Sequence, residues 1–490
     1  MDIRFKGASL PFYERILNTA VSQEDTAEVI VPDALPDAAE LMMTDGQSLI
    51  RGKDVRHSGI SVSGISELTV LYLAEDGRLC RMPVEIPFEN EISFNVPDDA
   101  ARIVATVRLI SCEARILNSR KLLLRAEVCI TVSVWTPKEL RWASEALAEG
   151  CGVELKQEQC ILCGVCAVEE KTFNAEDTQS LPAGKPQAEE LLLARASLRQ
   201  EEAEQVGRKL VVRGTAEVTA VYETASGSVC SAQFKLPWSA FLELPEESPD
   251  LIWELAVTLT GCSVEMTDDS FGITVGGVVQ AVIRSRKEIR WISDAYGTDC
   301  SFIPEYETAE ADTEAVSDMK TETVCVRLEG LRRPQSFAYL TADCGRPRQE
   351  KETVRLPVNL KALCVMEDGS QELLSGRGEA VCTGVGSVPE VSCGEVLASI
   401  ASGSAELRVP VSFRRTVVTR RQLGILTGGE AAPRREKADG PNVTLLRASE
   451  GDSVWSLGKS KGISCASIRS YNMLEEGEEP LPGTLLLLAR

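Results

Sequence analysis

The sequence predicts a mainly β protein, in which tandem antiparallel β-sandwich or open-barrel repeats are followed by a small βααβ domain. Three observations support this fold class. The chain copies itself at a fixed offset, and within each copy apolar and polar residues alternate with the period of a β-strand. Residues 443–490 change to a compact pattern of two short strands and two short helices.

The repeat has an offset of 150 residues, and it divides most of the chain into copies of one domain. The recurring pairs are Pro32 and Pro182, Pro36 and Pro186, Gly64 and Gly214, Tyr72 and Tyr222, Gly77 and Gly227, Cys80 and Cys230, Pro87 and Pro237, and Cys112 and Cys262. Residues 10–150 and 151–297 are therefore predicted to be the first two copies. Asp368-Gly369, aligned with Asp76-Gly77, indicates a divergent third copy over residues 298–428, in which Cys364 replaces the recurring tyrosine.

Each copy is predicted to consist mostly of strands. Leu68, Val70 and Tyr72 alternate with polar residues, which is typical of a half-buried strand, and Asp76-Gly77 then predicts a hairpin turn. Glycine inside this strand pattern, at Gly64 and again at Gly214, indicates a bulge or a close approach of another chain segment. Residues 37–43 and 187–196 are predicted to be short helices that follow a proline.

The C-terminal segment begins with a polar linker, predicted over residues 429–442, which contains two prolines. Residues 443–490 then show a strand, a turn at Gly451-Asp452-Ser453 that can cap a helix, a second helix capped by Ser464, and a final strand. Trp455 is expected to belong to the core of this domain.

Composition disfavours several functions. The net charge of −22 disfavours nucleic acid and anionic lipid surfaces, because like charges repel. A single histidine, His57, lies in a polar segment and is interpreted as a solvated loop residue, so no enzyme activity and no cofactor are expected. The N-terminal residues show no secretory signal and no apolar run could span a membrane, so the expected location is the cytosol, where most of the cysteines should be thiols.

Two side-chain patterns allow a functional and a structural interpretation. Cys160, Cys163 and Cys166 have a spacing that could hold zinc or an iron–sulfur cluster, which would make the chain a metal-cluster redox protein. No fourth ligand is evident apart from Cys151, and structural thiols are the favoured interpretation. Trp142 and Trp291 recur beside arginines, and core packing is favoured over a recognition patch.

Residues 443–490 resemble a LysM domain. The resemblance depends on the segment Gly451–Leu457, on Asn472 with Leu474, and on Pro482-Gly483-Thr484-Leu485, although Gly458 stands where alanine is usual. LysM domains bind N-acetylglucosamine polymers between two loops. The resemblance therefore implies a ligand- or partner-binding site formed by Gly451, Asp452, Ser453, Asn472, Met473 and Leu474.

The copies resemble SPOCS domains, on the residues Val31–Asp37, Leu71–Gly77 and Ile86-Pro87-Phe88. SPOCS repeats followed by one LysM domain are similar to the SipL-like family of clostridial spore-coat morphogenetic proteins. The resemblance implies a non-enzymatic protein in the mother-cell cytosol that docks through LysM on the coat's base-layer ATPase. With other coat proteins, it would help to localise the coat around the forespore. A peptidoglycan-binding protein is the alternative.

Overall fold

The computed structural model describes residues 2–56, 58–95, 100–149, 152–245, 250–267, 270–328, 330, 333–384, 390–401, 404–433 and 443–489. His57, Cys151 and residues 434–442 of the predicted linker lie outside the described residues. Strands make up most of the described chain, and the two helices occur near its C-terminal end. The mainly β fold class is therefore confirmed.

Each copy is built from two antiparallel sheets that face each other. The first copy contains β1 (Asp2–Ile30), β2 (Ala38–Arg56), β3 (Gly59–Ala74), β4 (Leu79–Ser93), β5 (Arg102–Asn118) and β6 (Lys121–Glu149). Strands β2, β3 and β4 form one sheet, and β1, β6 and β5 lie next to one another in the other. One cluster of buried side chains includes Val62 and Val70 of the first sheet with Ala105 and Leu124 of the second. Burial between the sheets is thus what holds the copy together.

The second copy repeats this arrangement strand for strand. It contains β7 (Val153–Ser180), β8 (Ala188–Val206), β9 (Lys209–Thr224), β10 (Val229–Glu243), β11 (Leu251–Thr267) and β12 (Ser270–Gly297). Its outer strands join those of the first copy where Tyr13 of β1 pairs with Val165 of β7, so one six-stranded sheet spans both copies.

The third copy has the same two sheets, with shorter and more numerous strands. It contains β13 (Cys300–Leu328), β14 (Pro334–Cys344), β15 (Arg348–Glu350), β16 (Thr353–Met366), β17 (Gln371–Thr383), β18 (Glu390–Cys393), β19 (Leu397–Ala401) and β20 (Ser404–Pro433). A disulfide between Cys344 and Cys393 connects its two sheets. Because β20 continues to Pro433, residues 429–433 are strand, and the linker predicted from residue 429 begins too early. The first copy likewise begins before residue 10, since Asp2 already pairs with Glu149.

The first and last strands of every copy pair along their whole length, and the three resulting ribbons pack together. Trp142 of the first ribbon, Trp291 of the second and Leu423 of the third are buried in one cluster. The Trp142 indole donates to Arg290 O and the Trp291 indole to Gly424 O, both at 2.9 Å. The prediction that the two tryptophans are buried packing residues is confirmed. The side chains of the neighbouring arginines extend into solvent.

The copies also meet through equivalent faces of their other sheets. Leu71, Val221 and Leu363 occupy matching positions of β3, β9 and β16, and all three are fully buried in one cluster between the copies. Both the ribbons and the other sheets of the three copies therefore meet in shared buried clusters.

Two of the recurring sequence pairs have a direct structural cause. A Cβ atom on Gly64 would lie 2.2 Å from Leu49 O and 2.3 Å from the Phe88 ring, and Gly214 meets Arg199 O and Trp238 in the same way. This confirms the predicted close approach. Tyr72 Oη donates to Pro36 O at 3.0 Å, and Tyr222 repeats that bond to Pro186 O at the same distance. Cys364 cannot make this bond, which is consistent with the divergence of the third copy.

The prediction of short helices at residues 37–43 and 187–196 is wrong, because the two segments begin strands β2 and β8. β2 has register shifts at Ala38/Glu40 and Leu41/Met43, and β8 has the same shifts at Ala188/Glu190 and Leu191/Leu193. A bulge places consecutive side chains on one face, so the apolar residues no longer alternate. The resulting pattern resembles helical spacing although the backbone is extended.

None of the helices in the described part of the chain is long and apolar enough to span a membrane.

Candidate functional site

The C-terminal module contains β21 (Val443–Arg447), α1 (Val454–Lys461), α2 (Cys465–Asn472) and β22 (Leu485–Ala489). The two strands pair antiparallel, with Leu445 opposite Leu487. The helices cover one face of this small sheet, and the buried core is formed by Val454, Leu457, Ile463, Ile468, Leu486 and Leu488 with Ala448. The predicted βααβ order is therefore confirmed.

The first predicted site segment forms the turn between β21 and α1. Gly451 has a positive φ of 87°, which only glycine adopts without strain. Asp452 accepts a hydrogen bond from Ser449 N at 2.8 Å and so closes the turn. Ser453 is the N-cap of α1: its hydroxyl accepts from Ser456 N, and the Ser456 hydroxyl accepts from Ser453 N. These three residues fix where the helix begins.

The second predicted site segment follows α2. Asn472 donates to Ile468 O and Leu487 O, and its carbonyl accepts from Leu487 N at 2.6 Å. Its amide is thus used within the module, where it fastens the end of α2 to the edge of β22, and Asn472 is a positioning residue. Met473 has a left-handed backbone, and 93% of its side chain is exposed. Leu474 packs against the module's core.

The two loops are joined by a residue that sequence reasoning missed. Glu479, in the loop between α2 and β22, accepts from the free Val454 N at the start of α1 at 2.6 Å. Its other oxygen lies 3.6 Å from the guanidinium of Arg469. A carboxylate at a helix N-terminus satisfies an otherwise unpaired amide and the helix dipole. The glutamate-rich run from Glu475 to Glu479 was the only sequence signal for this contact.

The loops carry many negative charges and two exposed apolar side chains. Glu450 and Asp452 lie on the first loop, while Glu475, Glu476, Glu478 and Glu479 lie on the second. Met473 and Leu481 extend from the second loop into solvent. This end of the module is therefore suited to a partner with basic and apolar groups.

Along α1, the module is docked on the ribbons of the second and third copies. Lys459 Nζ lies 2.7 and 2.8 Å from the two carboxylate oxygens of Asp294, and the Trp455 indole donates to the same carboxylate at 2.8 Å. Tyr306 Oη donates to Asp294 as well. We call these four residues, together with Tyr296, the latch. Burial opposes the ionisation of Asp294, but hydrogen bonds from Lys459, Tyr306 and Trp455 outweigh it and lower the carboxyl pKa.

Tyr296 provides the apolar half of the latch. Its ring lies 4.8 Å from the Trp455 ring in an edge-to-face arrangement, and its hydroxyl donates to Ile463 O at 2.8 Å. A Cβ atom on Gly458 would come within 2.3 Å of that hydroxyl. The absence of a side chain at Gly458 thus makes room for Tyr296. Trp455 is absent from the module's core cluster and lies at this interface instead, so its predicted core position is wrong.

The cysteine triplet is not brought together. All three residues lie on β7, where Cys160 faces the ribbon cluster with Trp142, and Cys166 packs in the core of the second copy. Cys163 is fully buried, and its position three residues beyond Cys160 places it on the other face of the strand. Among the residues that the structure describes, no group of three or more Cys, His, Asp or Glu side chains is arranged to hold a metal ion. Burial raises the pKa values of the Cys160 and Cys163 thiols, which disfavours the thiolate that a metal needs.

One family model matches part of the chain. Residues 187–267 match the family model described as SipL, SPOCS domain. The matched segment covers β8 to β11 of the second copy. No curated protein and no solved structure matches the chain.

Proposed function

We propose that this protein is a non-enzymatic assembly factor of the spore coat, acting at the forespore surface. The observation that carries the proposal is the match of residues 187–267 to the SipL SPOCS domain, within an architecture that repeats the same sandwich three times. The match supports a role in sporulation. The repeated sheets and the attached module give the chain several separate surfaces for other coat proteins, and attachment at more than one site raises the effective local concentration.

The C-terminal module docks on the coat's base-layer ATPase through its loop end. The latch occupies Trp455 and Lys459 of α1, whereas Gly451 and Met473 of the loop end are exposed. Asp452 and Ser453 are half-buried and shape the first loop. The latch fixes the module to the β repeats. A partner bound to the loop end would therefore have a defined orientation relative to the sheets.

The charge of the loop end favours a protein over a glycan. Six carboxylates lie on the two loops, and the second loop also carries the exposed Met473 and Leu481. An N-acetylglucosamine polymer is uncharged, and the peptide stems attached to it in peptidoglycan are anionic, so neither is attracted by this surface. A basic protein surface is attracted, and we therefore place peptidoglycan binding second.

No reaction is assigned to the chain. One buried charged cluster, Arg195 with Asp45 and Asp343, lies between the copies with its groups hydrogen-bonded to one another. That arrangement serves packing and leaves no free acid or base for a substrate.

A truncation and a charge reversal test the proposal. A chain that ends at residue 433 lacks the module, and we expect it to lose ATPase binding in a pull-down while its circular dichroism keeps the β signal. Reversal of Glu475 and Glu476 to lysine in the full chain should weaken the same binding. Undiminished binding by the truncated chain would refute docking through the module. Retention of the full chain on insoluble peptidoglycan, lost on truncation, would favour the alternative.

A further inference from the structure

The third copy departs from the other two at two divided strands, and a cleft lies beside one of them. β2 and β8 are unbroken, whereas the corresponding strand of the third copy is divided into β14 and β15 at residues 345–347. Pro347 has no amide hydrogen for pairing, and Gly345 N donates to Pro357 O at 2.7 Å instead. A cleft of about 800 Å³ lies between this interruption and the first copy.

The floor of the cleft is closed by contacts between the first and third copies. Asn359 donates to Ile110 O at 3.0 Å. Lys361 Nζ donates to Thr44 O at 3.1 Å and to Cys112 O at 3.2 Å. Lys361 and Asn359 of the third copy thus join it to the first copy at the floor of the cleft.

The rim on the third copy carries three arginines, Arg346, Arg348 and Arg377. All three are exposed, and among the described residues no carboxylate lies within ion-pair distance of any of them. In a chain with a net charge of −22, most other exposed arginines do have such partners. Three unneutralised guanidinium groups around one cleft are therefore an unusual feature of this surface.

The wall on the first copy is different in charge. It presents Glu113 and Glu127, and Ser111 donates to Glu127 at 3.4 Å. A small dianion such as phosphate would be attracted by the arginines and repelled by these glutamates. An extended acidic peptide can satisfy both walls, because its side-chain carboxylates can face the arginines and its amide hydrogens can face the glutamates.

We propose that this arginine cleft binds an acidic peptide segment of a partner protein. The cleft volume is within the usual range for a ligand site, and its charge is complementary to such a segment. The site lies in the β repeats, and it does not depend on the docking proposed for the C-terminal module.

A peptide-binding measurement on the full chain tests this site. The probe is a short labelled peptide of alternating glutamate and serine, and its control has glutamine in place of glutamate. We expect saturable binding of the acidic peptide alone, weakened by added salt. The double variant Arg346→Gln with Arg348→Gln should bind about tenfold more weakly, which corresponds to about 1.4 kcal/mol.

A matched control variant removes two arginine charges outside the cleft. Arg102 and Arg447 are also exposed and, within the described chain, also lack an ion-pair partner, so Arg102→Gln with Arg447→Gln should leave binding unchanged. If both double variants lose affinity for the acidic peptide equally, the loss reflects net charge alone and the proposal is wrong. Equal binding of the glutamine peptide, or displacement of the acidic peptide by inorganic phosphate at a concentration that leaves ionic strength unchanged, would also overturn the proposal. Equal melting temperatures of the variants and the parent exclude misfolding as the cause.

Discussion

Arg195 of the second copy donates to the buried carboxylate of Asp45 in the first copy at 3.0 Å, and the two residues occupy the same position of their copies. Asp45 lies opposite Thr69 in β3, as Arg195 lies opposite Thr219 in β9. The third copy contributes Thr341, which accepts from the same guanidinium at 2.7 Å. Equivalent positions of a repeat have thus acquired complementary groups where the three copies meet.

This cluster of charged side chains explains why three copies that differ in sequence associate in one arrangement. Asp343 pairs with Arg195, and Tyr339 Oη donates to Asp45 at 2.7 Å, so both buried carboxylates have partners from another copy. A buried ion pair adds little over apolar packing, but the loss of one partner leaves an uncompensated charge. The cluster therefore favours this one assembly of the copies over others.

The first prediction concerns Arg195. Arg195→Met leaves Asp45 and Asp343 buried without their cation, and we expect the free energy of unfolding to fall by about 3–5 kcal/mol. Arg213→Met is the matched control, because Arg213 pairs with Glu204 at the surface of the same copy and its loss should cost less than about 1 kcal/mol. Urea denaturation of both variants gives the comparison. Similar losses for the two would contradict a special role of the cluster.

The second prediction concerns Gly458. Gly458→Ala adds a Cβ atom that would press on the Tyr296 hydroxyl and on Ile463 O. Overpacking typically costs about 1–3 kcal/mol, so amide hydrogen exchange over residues 291–297 and 454–461 should become about tenfold faster. Gly424→Ala, where nothing lies within 4 Å of the added atom, is the control. Unchanged exchange in Gly458→Ala would mean that the module does not dock through Tyr296.

The third prediction is a pH dependence of the latch. The docked state lowers the Asp294 pKa, so docking is strengthened above the ordinary aspartate pKa of about 3.9 and is lost as the pH falls through the lowered value. We expect hydrogen exchange of residues 454–461, normalised for its intrinsic pH dependence, to show increased opening in that acid range. Asp294→Asn should remove this step, and a step of the same size in that variant would assign it to another group.

The fourth prediction concerns Gly64, whose Cβ would meet both Leu49 O and the Phe88 ring. Because one of these neighbours is backbone, Gly64→Ala should destabilise the protein by about 1–3 kcal/mol, and trimming Phe88 to leucine should recover only part of that loss. Gly7→Ala, whose nearest neighbour is 4.0 Å away, should be nearly neutral in the same thermal denaturation. Full recovery by Phe88→Leu would show that the ring alone causes the clash.

The fifth prediction concerns the cysteine triplet. Protein purified without oxygen should contain no stoichiometric iron or zinc, because Cys160 and Cys163 face opposite sides of β7. Elemental analysis makes the measurement, and a Cys160→Ser variant provides the reference. A metal content of one per chain that disappears in the variant would restore the metal-site hypothesis.

Much of the β architecture could be predicted because the repeat and the strand period are local signals. Gly64 with Phe88, and Tyr72 with Pro36, recur at the same offset since each pair is in contact within its own copy. The segments that begin β2 and β8 were predicted as helices because their bulges break the alternation, and bulges are set by strand pairing rather than by the segment itself.

The contacts between copies could not be predicted in this way. The pairing of Asp45 with Arg195 joins residues far apart in sequence, and single-sequence patterns carry no information on which copy faces which. The same holds for Trp455, whose aromatic character predicted a core position within the module. Its partners Asp294 and Tyr296 belong to another domain. Of the predicted site residues, Asn472 uses its side chain for hydrogen bonds within the module. The contact of Glu479 with the start of α1 could not be predicted, because no sequence motif marks it.

Co-purification from sporulating cells, with the full chain compared to a chain that ends at residue 433, tests the assembly role most directly. We predict that the full chain recovers the coat ATPase together with other coat proteins, and that the shortened chain loses the ATPase but still recovers proteins bound to the β repeats. Recovery of the same partners by both chains, or of no coat protein by either, would contradict the account.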